Sequence, residues 1–448
     1  MSNQRITRRD FLKAASLAGG TLALAACAPK ATEEPTEEAG AEPVAETSSI
    51  RFWYYWPGIW GEACAGVAKQ FEELNPNIQV EAIQADWEKV LASFAAGNPP
   101  DVLLDFSGST LMPREQVLEL DSLIATSSII KKDNYYPAML NSFQWDGKQY
   151  GLPAAEAGVD MAMMINVGLA EAAGLDAANP PQTIDEMLSW AEKMTITGDG
   201  GILEQVGFDP RDGTSGQGFY NWPAIYGEDW WDASTQTFNW LSLTEAFKWM
   251  SEWIIRWGAA NFEAFRSGYG GWLEADSSVA LGKQAIHVNG YWTPGALALI
   301  ETDQKFTYNW MPMPNNRKGT RVQTSLPTGI FLPVPAKSPD AAFALLEYIC
   351  SDDANEYIFN TAGGFAWTKS WLAKVDTSKY AGLDFYVKSI AEAGELYCNV
   401  QNCPLGFALP QDQYDKALNA VIYDGKPIED ALNEAQKACE EELVRILG

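Results

Sequence analysis

Strand-like and helix-like patterns alternate along the chain once residue 49 is passed. Residues 50–56 are β-branched and aromatic and end at Pro57-Gly58, which predicts a strand. Between 60 and 74 the apolar positions Trp60, Cys64, Val67, Phe71 and Leu74 recur at three- and four-residue steps. Asn75-Pro76 then stops the run, as at the end of a helix. Residues 78–82 alternate like a half-buried strand, 86–96 read as a helix closed by Gly97, and 101–104 read as a strand covered on both faces. The order β-α-β-α-β predicts an α/β body with mostly parallel sheets and helices on their faces. In such bodies ligands bind beyond the carboxyl ends of the strands.

Further signals follow in order. Asp146-Gly147 sits between Phe143-Gln144-Trp145 and Lys148-Gln149-Tyr150 and predicts a two-residue hairpin turn. Thr183 with Glu186 forms a capping-box pattern for a helix to about Met194, and Ser242 with Glu245 a second one for a helix to about Trp257. Trp249, Trp253 and Trp257 at i, i+4 and i+8 read as a packing stripe. Residues 198–239 are irregular and carry Tyr220, Trp222, Trp230 and Trp231 beside Gly- and Asp-rich turns, including 213–218. Flat aromatics beside carboxylates suit a sugar, whose C–H faces stack while its hydroxyls need polar partners.

The first 49 residues follow another pattern. Residues 14–26 are mildly apolar and too few to span a bilayer, which takes ~20. They follow Arg8-Arg9 and end in Leu24-Ala25-Ala26-Cys27, like the apolar region of a cleaved export signal. Thr7-Arg8-Arg9-Asp10-Phe11-Leu12-Lys13 resembles a twin-arginine export signal, and Leu24-Ala25-Ala26-Cys27 resembles the lipobox of bacterial lipoproteins. That resemblance implies a signal peptide over 1–26, lipid on Cys27, and an exported, membrane-anchored protein at the cell surface or in the periplasm. Residues 28–49 hold six glutamates and three prolines with almost nothing apolar. They predict a flexible acidic tether, 27–49 with its cysteine, of roughly 25 Å reach.

Composition narrows the function classes. About 400 residues beyond the tether exceed one compact core, so two lobes are expected. The formal net charge of −28 repels phosphate backbones and anionic lipid, which argues against nucleic acid. His287, the single histidine, lies in a strand-like run and reads as structural, and the cysteines lack Cys-x-x-Cys spacing. Catalysis by His, Cys or zinc is therefore not expected, and no metal or cofactor is implied. Cys398 and Cys403 are the one close pair, to be read as a disulfide or as free thiols.

Phe71-Glu72-Glu73-Leu74-Asn75-Pro76-Asn77-Ile78-Gln79-Val80 and Ala95-Ala96-Gly97-Asn98-Pro99-Pro100-Asp101-Val102 resemble the extracellular solute-binding proteins of ABC importers, in the group that includes maltose- and oligosaccharide-binding proteins. Asp146-Gly147-Lys148-Gln149-Tyr150-Gly151-Leu152-Pro153, Ala172-Ala173-Gly174-Leu175, Leu281-Gly282-Lys283-Gln284-Ala285-Ile286 and Asp424-Gly425-Lys426 follow in the family's order. Ile165-Asn166-Val167-Gly168 departs from the family's aromatic-Asn-Lys-Asp run. The resemblance implies a two-lobed fold of the periplasmic-binding-protein type II kind, with a ligand cleft between lobes. One lobe is expected from 50–153 plus 308–362, the other from 154–307 plus 363–448, with crossings near Pro153, Thr307 and Gly363-Gly364. Strand ends and the resemblance together nominate Tyr55, Trp56, Asp86, Trp87, Asp105 and Ser107 from the first lobe. From the second they nominate Glu156, Trp222, Trp230, Asn289, Tyr291 and Trp292, with Thr328, Gly363 and Phe365 from returning segments. The expected function is capture of a saccharide and delivery to a membrane permease by a monomeric, non-enzymatic binder. The alternatives are a surface glycoside hydrolase working through Glu156 and Asp105, and a binder of peptide, polyamine or another non-sugar solute.

Overall fold

The computed structural model describes residues 47–211, 218–271, 274–398, 400 and 402–447. The export signal, Cys27 and the tether to residue 46 lie outside them, as does most of the 213–218 loop. Two five-stranded sheets organise what is described.

The first sheet opens with the expected unit. Strand β1 (Ser48–Tyr54), helix α1 (Gly58–Leu74), strand β2 (Ile78–Gln84), helix α2 (Trp87–Ala95) and strand β3 (Val102–Asp105) follow one another, and β1 pairs in parallel with both β2 and β3. Strand β4 (Gly151–Pro153) then closes the first passage, and the chain crosses to the second sheet at strand β5 (Ala162–Asn166). There it adds β6 (Ile196–Thr197), β7 (Leu203–Phe208), β8 (Gln284–Asn289) and β9 (Phe306–Asn309), in the spatial order β9-β5-β8-β7-β6. After β10 (Val322–Thr324) the chain returns as β11 (Gly329–Phe331), which inserts between β3 and β4.

These crossings correct the expectation of mostly parallel sheets. β11 is antiparallel to both β3 and β4, and in the second sheet only β7 and β8 run parallel. A strand that arrives from the other lobe starts at the cleft, whereas β1 and β3 end there, so each crossing reverses a direction. The expected return near Thr307 also moves. Tyr308 and Asn309 still pair with Met164 and Met163 in the second sheet, and the chain re-enters the first sheet only at Gly329.

Helices cover the sheets as their caps and stripes direct. Thr183 caps α3 (Ile184–Met194), with its side chain accepting from Glu186 N and Glu186 reaching back to the Thr183 N–H. The second capping box does not form: Ser242 falls in a 3₁₀ turn and donates to the Asn239 carbonyl, so α4 (Thr244–Trp257) starts without a side-chain cap. On α4 Trp253 is buried, and Trp249 and Trp257 pack against the same second-lobe core. The Asp146-Gly147 turn has φ of 49° and 74°, the two positive values that its hairpin requires. Helices α5 (Pro339–Ile349) and α6 (Asp352–Ala362) complete the first-lobe core, while α7 (Ala408–Asp424) and α8 (Ile428–Leu447) supply Tyr414, Leu418 and Leu432 to the second.

Cys398 and Cys403 are free, buried thiols. They belong to different apolar clusters, Cys398 with Tyr291 and Phe365, Cys403 with Leu405 and Cys439, which explains why nearness in sequence does not pair them. His287 is buried in β8 with Nδ1 2.9 Å from Gln284 Nε2, and burial pushes its pKa down to about 4, so the ring stays neutral.

Candidate functional site

Strand ends converge where the two sheets face each other. β1 runs out into Tyr55 and Trp56, and β3 ends at Asp105 followed by Phe106 and Ser107. The segment between β4 and β5 brings Glu156 and Asp160, β8 is followed by Trp292, and the crossing before β11 brings Leu326. Asp86 accepts from Lys89 N at 2.8 Å as the cap of α2, which sets Trp87 and Glu88 at the rim. The start of α7 closes the far side with Phe407, Ala408 and Gln411. Together with Trp60 these residues line a cavity of about 550 Å³.

The lobes meet beside it. Gly406 stands so close to the first lobe that a Cβ there would lie 2.7 Å from Thr110 Cγ2, and Phe106 packs against the second-lobe core. The aromatic wall is continuous: Phe106 meets Trp56 edge-on at 4.9 Å and Tyr55 at 5.4 Å, and Trp56 lies 5.9 Å from Trp60.

Three carboxyls sit deep in this wall. Asp105 accepts from Ser107 N at 2.6 Å through Oδ1, while Oδ2 is buried without a partner. Thr328 donates to Glu156 at 3.4 Å, and Tyr220 donates to Asp160 at 3.2 Å. Burial pushes Asp105 up to about 7 and both Glu156 and Asp160 up to about 8, with the neighbouring Asp160 charge adding to the rise at Glu156. A second depression of about 510 Å³ lies among Arg211, Glu263, Arg266 and Lys416. It is open, and its charges are already engaged: Arg266 pairs with Asp209, Lys416 with Asp412, and Arg211 donates to Asn419. The interlobe cavity, by contrast, holds Asp105 Oδ2, a buried acceptor without a partner.

A family model of the bacterial extracellular solute-binding proteins matches residues 66–384. The chain belongs to this family. Its fold is similar to CpMnBP1 with mannotriose bound, at TM-score 0.75 and 23% identity, covering 88% of this chain and 100% of that one. It is also similar to an ABC transporter solute-binding protein from Thermotoga lettingae bound with α-D-tagatose, at TM-score 0.71 and 17% identity over 90% and 100% of the two chains. MalE from Bdellovibrio bacteriovorus bound to maltotriose gives 0.68 and 19% over 88% and 99%. At such identities the likeness speaks to the fold alone. No curated protein sequence matches the chain.

Within this solute-binding protein the cavity brings together Tyr55, Trp56, Asp86, Trp87, Asp105, Ser107, Glu156 and Trp292 of the nominated residues. The others stand behind the wall. Trp222 and Trp230 are buried in the second-lobe core, Trp230 edge-on to Phe219 at 4.8 Å. Their neighbours in sequence suggested a loop site, but Trp222 lies inside a helix, Gly218–Tyr226, and turns to Trp249 of α4, while Trp230 packs on Phe219 and Phe238. Tyr291 is buried and donates to the Phe365 carbonyl at 2.7 Å, and Phe365 stacks on Trp367, so both belong to the crossing cluster. Asn289 accepts from Gly290 N through its own side chain, and its carbonyl accepts from Tyr386. Gly363 ends α6 with φ 79° and abuts Gly295, and Thr328 touches Glu156 from behind.

The sequence reading passed over Trp60, Glu88, Phe106, Asp160, Leu326, Phe407, Ala408 and Gln411. Phe106 and Glu88 adjoin nominated residues and Asp160 lies four positions after Glu156, so widening each strand end would have found them. Phe407 to Gln411 carry no local signal; only tertiary packing brings α7 to the cleft.

Proposed function

We propose that this protein captures a saccharide between its two lobes and hands it to the permease of an ABC importer, without turnover. The observation that carries the reading is the cavity wall itself, which joins seven aromatic side chains, Tyr55, Trp56, Trp60, Trp87, Phe106, Trp292 and Phe407, to carboxyls from both lobes. Rings offer flat faces to sugar C–H groups, and carboxyls accept from sugar hydroxyls. Closure about the crossing segments would bury the ligand, as in hinged binding proteins. The saccharides bound to structurally similar proteins, mannotriose, maltotriose and α-D-tagatose, support the same class.

We propose further that the protein is a monomer exported through its Arg8-Arg9 signal and anchored by lipid on Cys27. Among the described residues no helix is long and apolar enough to cross a membrane. A thermal-shift screen over mono- and oligosaccharides, peptides and polyamines tests the ligand class. A ligand at 100 times its dissociation constant stabilises by about 2.7 kcal/mol. Stabilisation by sugars, recovered unchanged, is expected; hydrolysis of the bound sugar would favour the hydrolase alternative, and stabilisation by peptides or polyamines alone would end the saccharide reading.

A further inference from the structure

We infer that the solute selected by this cleft is an amino-substituted saccharide whose protonated amine is held between Asp105 of the first lobe and Glu156 and Asp160 of the crossing segment. The inference rests on the saccharide reading above and narrows it.

Asp86, Glu88, Asp105, Glu156 and Asp160 all line the cavity, and none of the residues lining it is basic. Asp86 and Glu88 are exposed at the rim and are screened by water, but the other three are buried. Their partners are neutral: Ser107 N for Asp105, Thr328 Oγ1 for Glu156, and the Tyr220 hydroxyl and Leu326 N for Asp160. Asp105 is 1% exposed, and its Oδ2 has no partner at all. Buried carboxyls without a cation stay protonated or await a positive charge from elsewhere. The raised pKa values of this trio fit that state, and an arriving ammonium would displace the protons.

An ammonium answers each feature of the wall. It brings several donors and a full charge to acceptors that have spare lone pairs. Aromatic side chains line the same cavity, and a ring face within about 6 Å of a cation attracts it. A uronate or sugar phosphate would instead set like charges together in a water-poor space. A neutral hydroxyl could fill Asp105 Oδ2, yet it brings no positive charge to draw the trio into its ionised, stronger-accepting form.

The test is calorimetric titration of the purified protein at about pH 7, where a sugar amine is largely protonated. Two matched pairs are compared, chitobiose with cellobiose and mannosamine with mannose, so that the backbone cancels within each pair; glucuronate and spermidine are added as controls. In a pair that binds, the amine member should bind about tenfold tighter, the difference between a charge-assisted and a neutral hydrogen bond. Glucuronate should not bind. Asp105→Asn keeps an acceptor for Ser107 N and should bring the ratio close to one, with Glu156→Gln as the second variant should the first fail to fold. A pair whose hydroxyl member binds equally or tighter overturns the amine inference and leaves the saccharide reading standing. No binding in either pair, with another plain saccharide stabilising the protein, likewise overturns the amine inference alone; spermidine binding without any sugar sinks the saccharide reading and this inference with it.

Discussion

Trp292 and Trp222 are chemically identical perturbation sites with opposite expected outcomes. Trp292 lines the cavity, is half-buried, and meets Tyr291 edge-on at 5.7 Å, while Trp222 is 2% exposed in the second-lobe core against Trp249. Truncating a buried tryptophan costs ~3–5 kcal/mol. With an unfolding entropy of about 2.1 cal/mol/K per residue over roughly 400 residues, Trp222→Ala should lower Tm by about 4–6 °C. Sugar affinity should change by less than about twofold, since its ring faces no part of the cavity. Trp292→Ala loses only the packed half of its contacts, about 1.5–2.5 kcal/mol or ~2–3 °C. Its cavity face is an aromatic platform, and losing one weakens stacking by ~1–3 kcal/mol, or about 5- to 150-fold in Kd. Calorimetric titration with a stabilising sugar and thermal melts of both variants decide the matter. The reasoning fails if Trp292→Ala melts as low as Trp222→Ala and still binds with wild-type affinity.

The cleft carboxyls predict a pH dependence of the empty protein. Their folded pKa values of about 7 and 8 lie above unfolded carboxyl values near 4, so the folded state holds more protons and stability falls as pH rises toward 8. His287, lowered to about 4, acts oppositely but only below its unfolded value near 6.5. Tm should therefore fall between about pH 6.5 and 8, and Glu156→Gln should flatten the slope; an unchanged slope in that variant would remove Glu156 from the account. Gly295→Ala would set a Cβ 2.6 Å from Gly363 Cα, where backbone faces backbone, and should cost ~1–3 kcal/mol in a denaturant melt, whereas wild-type stability would mean that the two segments part easily. Cys27→Ala should release a folded, ligand-competent protein from the membrane fraction; retention there after a salt wash would count against the lipid anchor.

What the sequence determined by itself was local. Periodicity located β1, α1, β2, α2 and β3, because an apolar stripe at 3.6 or 2 residues is written in neighbouring positions. Asp146-Gly147 and Thr183 with Glu186 act within a few residues and appear in the structure as read. Strand ends together with the family resemblance nominated Tyr55, Trp56, Asp86, Trp87, Asp105 and Ser107, all of which line the cavity, since in an α/β sheet the residues after a strand face the crevice. Tertiary structure decided the rest. Whether a tryptophan in a Gly-rich stretch faces a ligand or a core depends on what packs above it, and α7 and α8, some two hundred residues onward, turn Trp222 and Trp230 inward. Strand direction also escaped local reading, because β11 runs against β3 only through having crossed from the other lobe. Asp105 shares one cavity with Glu156 and Asp160 only when two sheets with separate cores face one another, and each carboxyl owes its raised pKa first to that burial, with the Asp160 charge adding at Glu156.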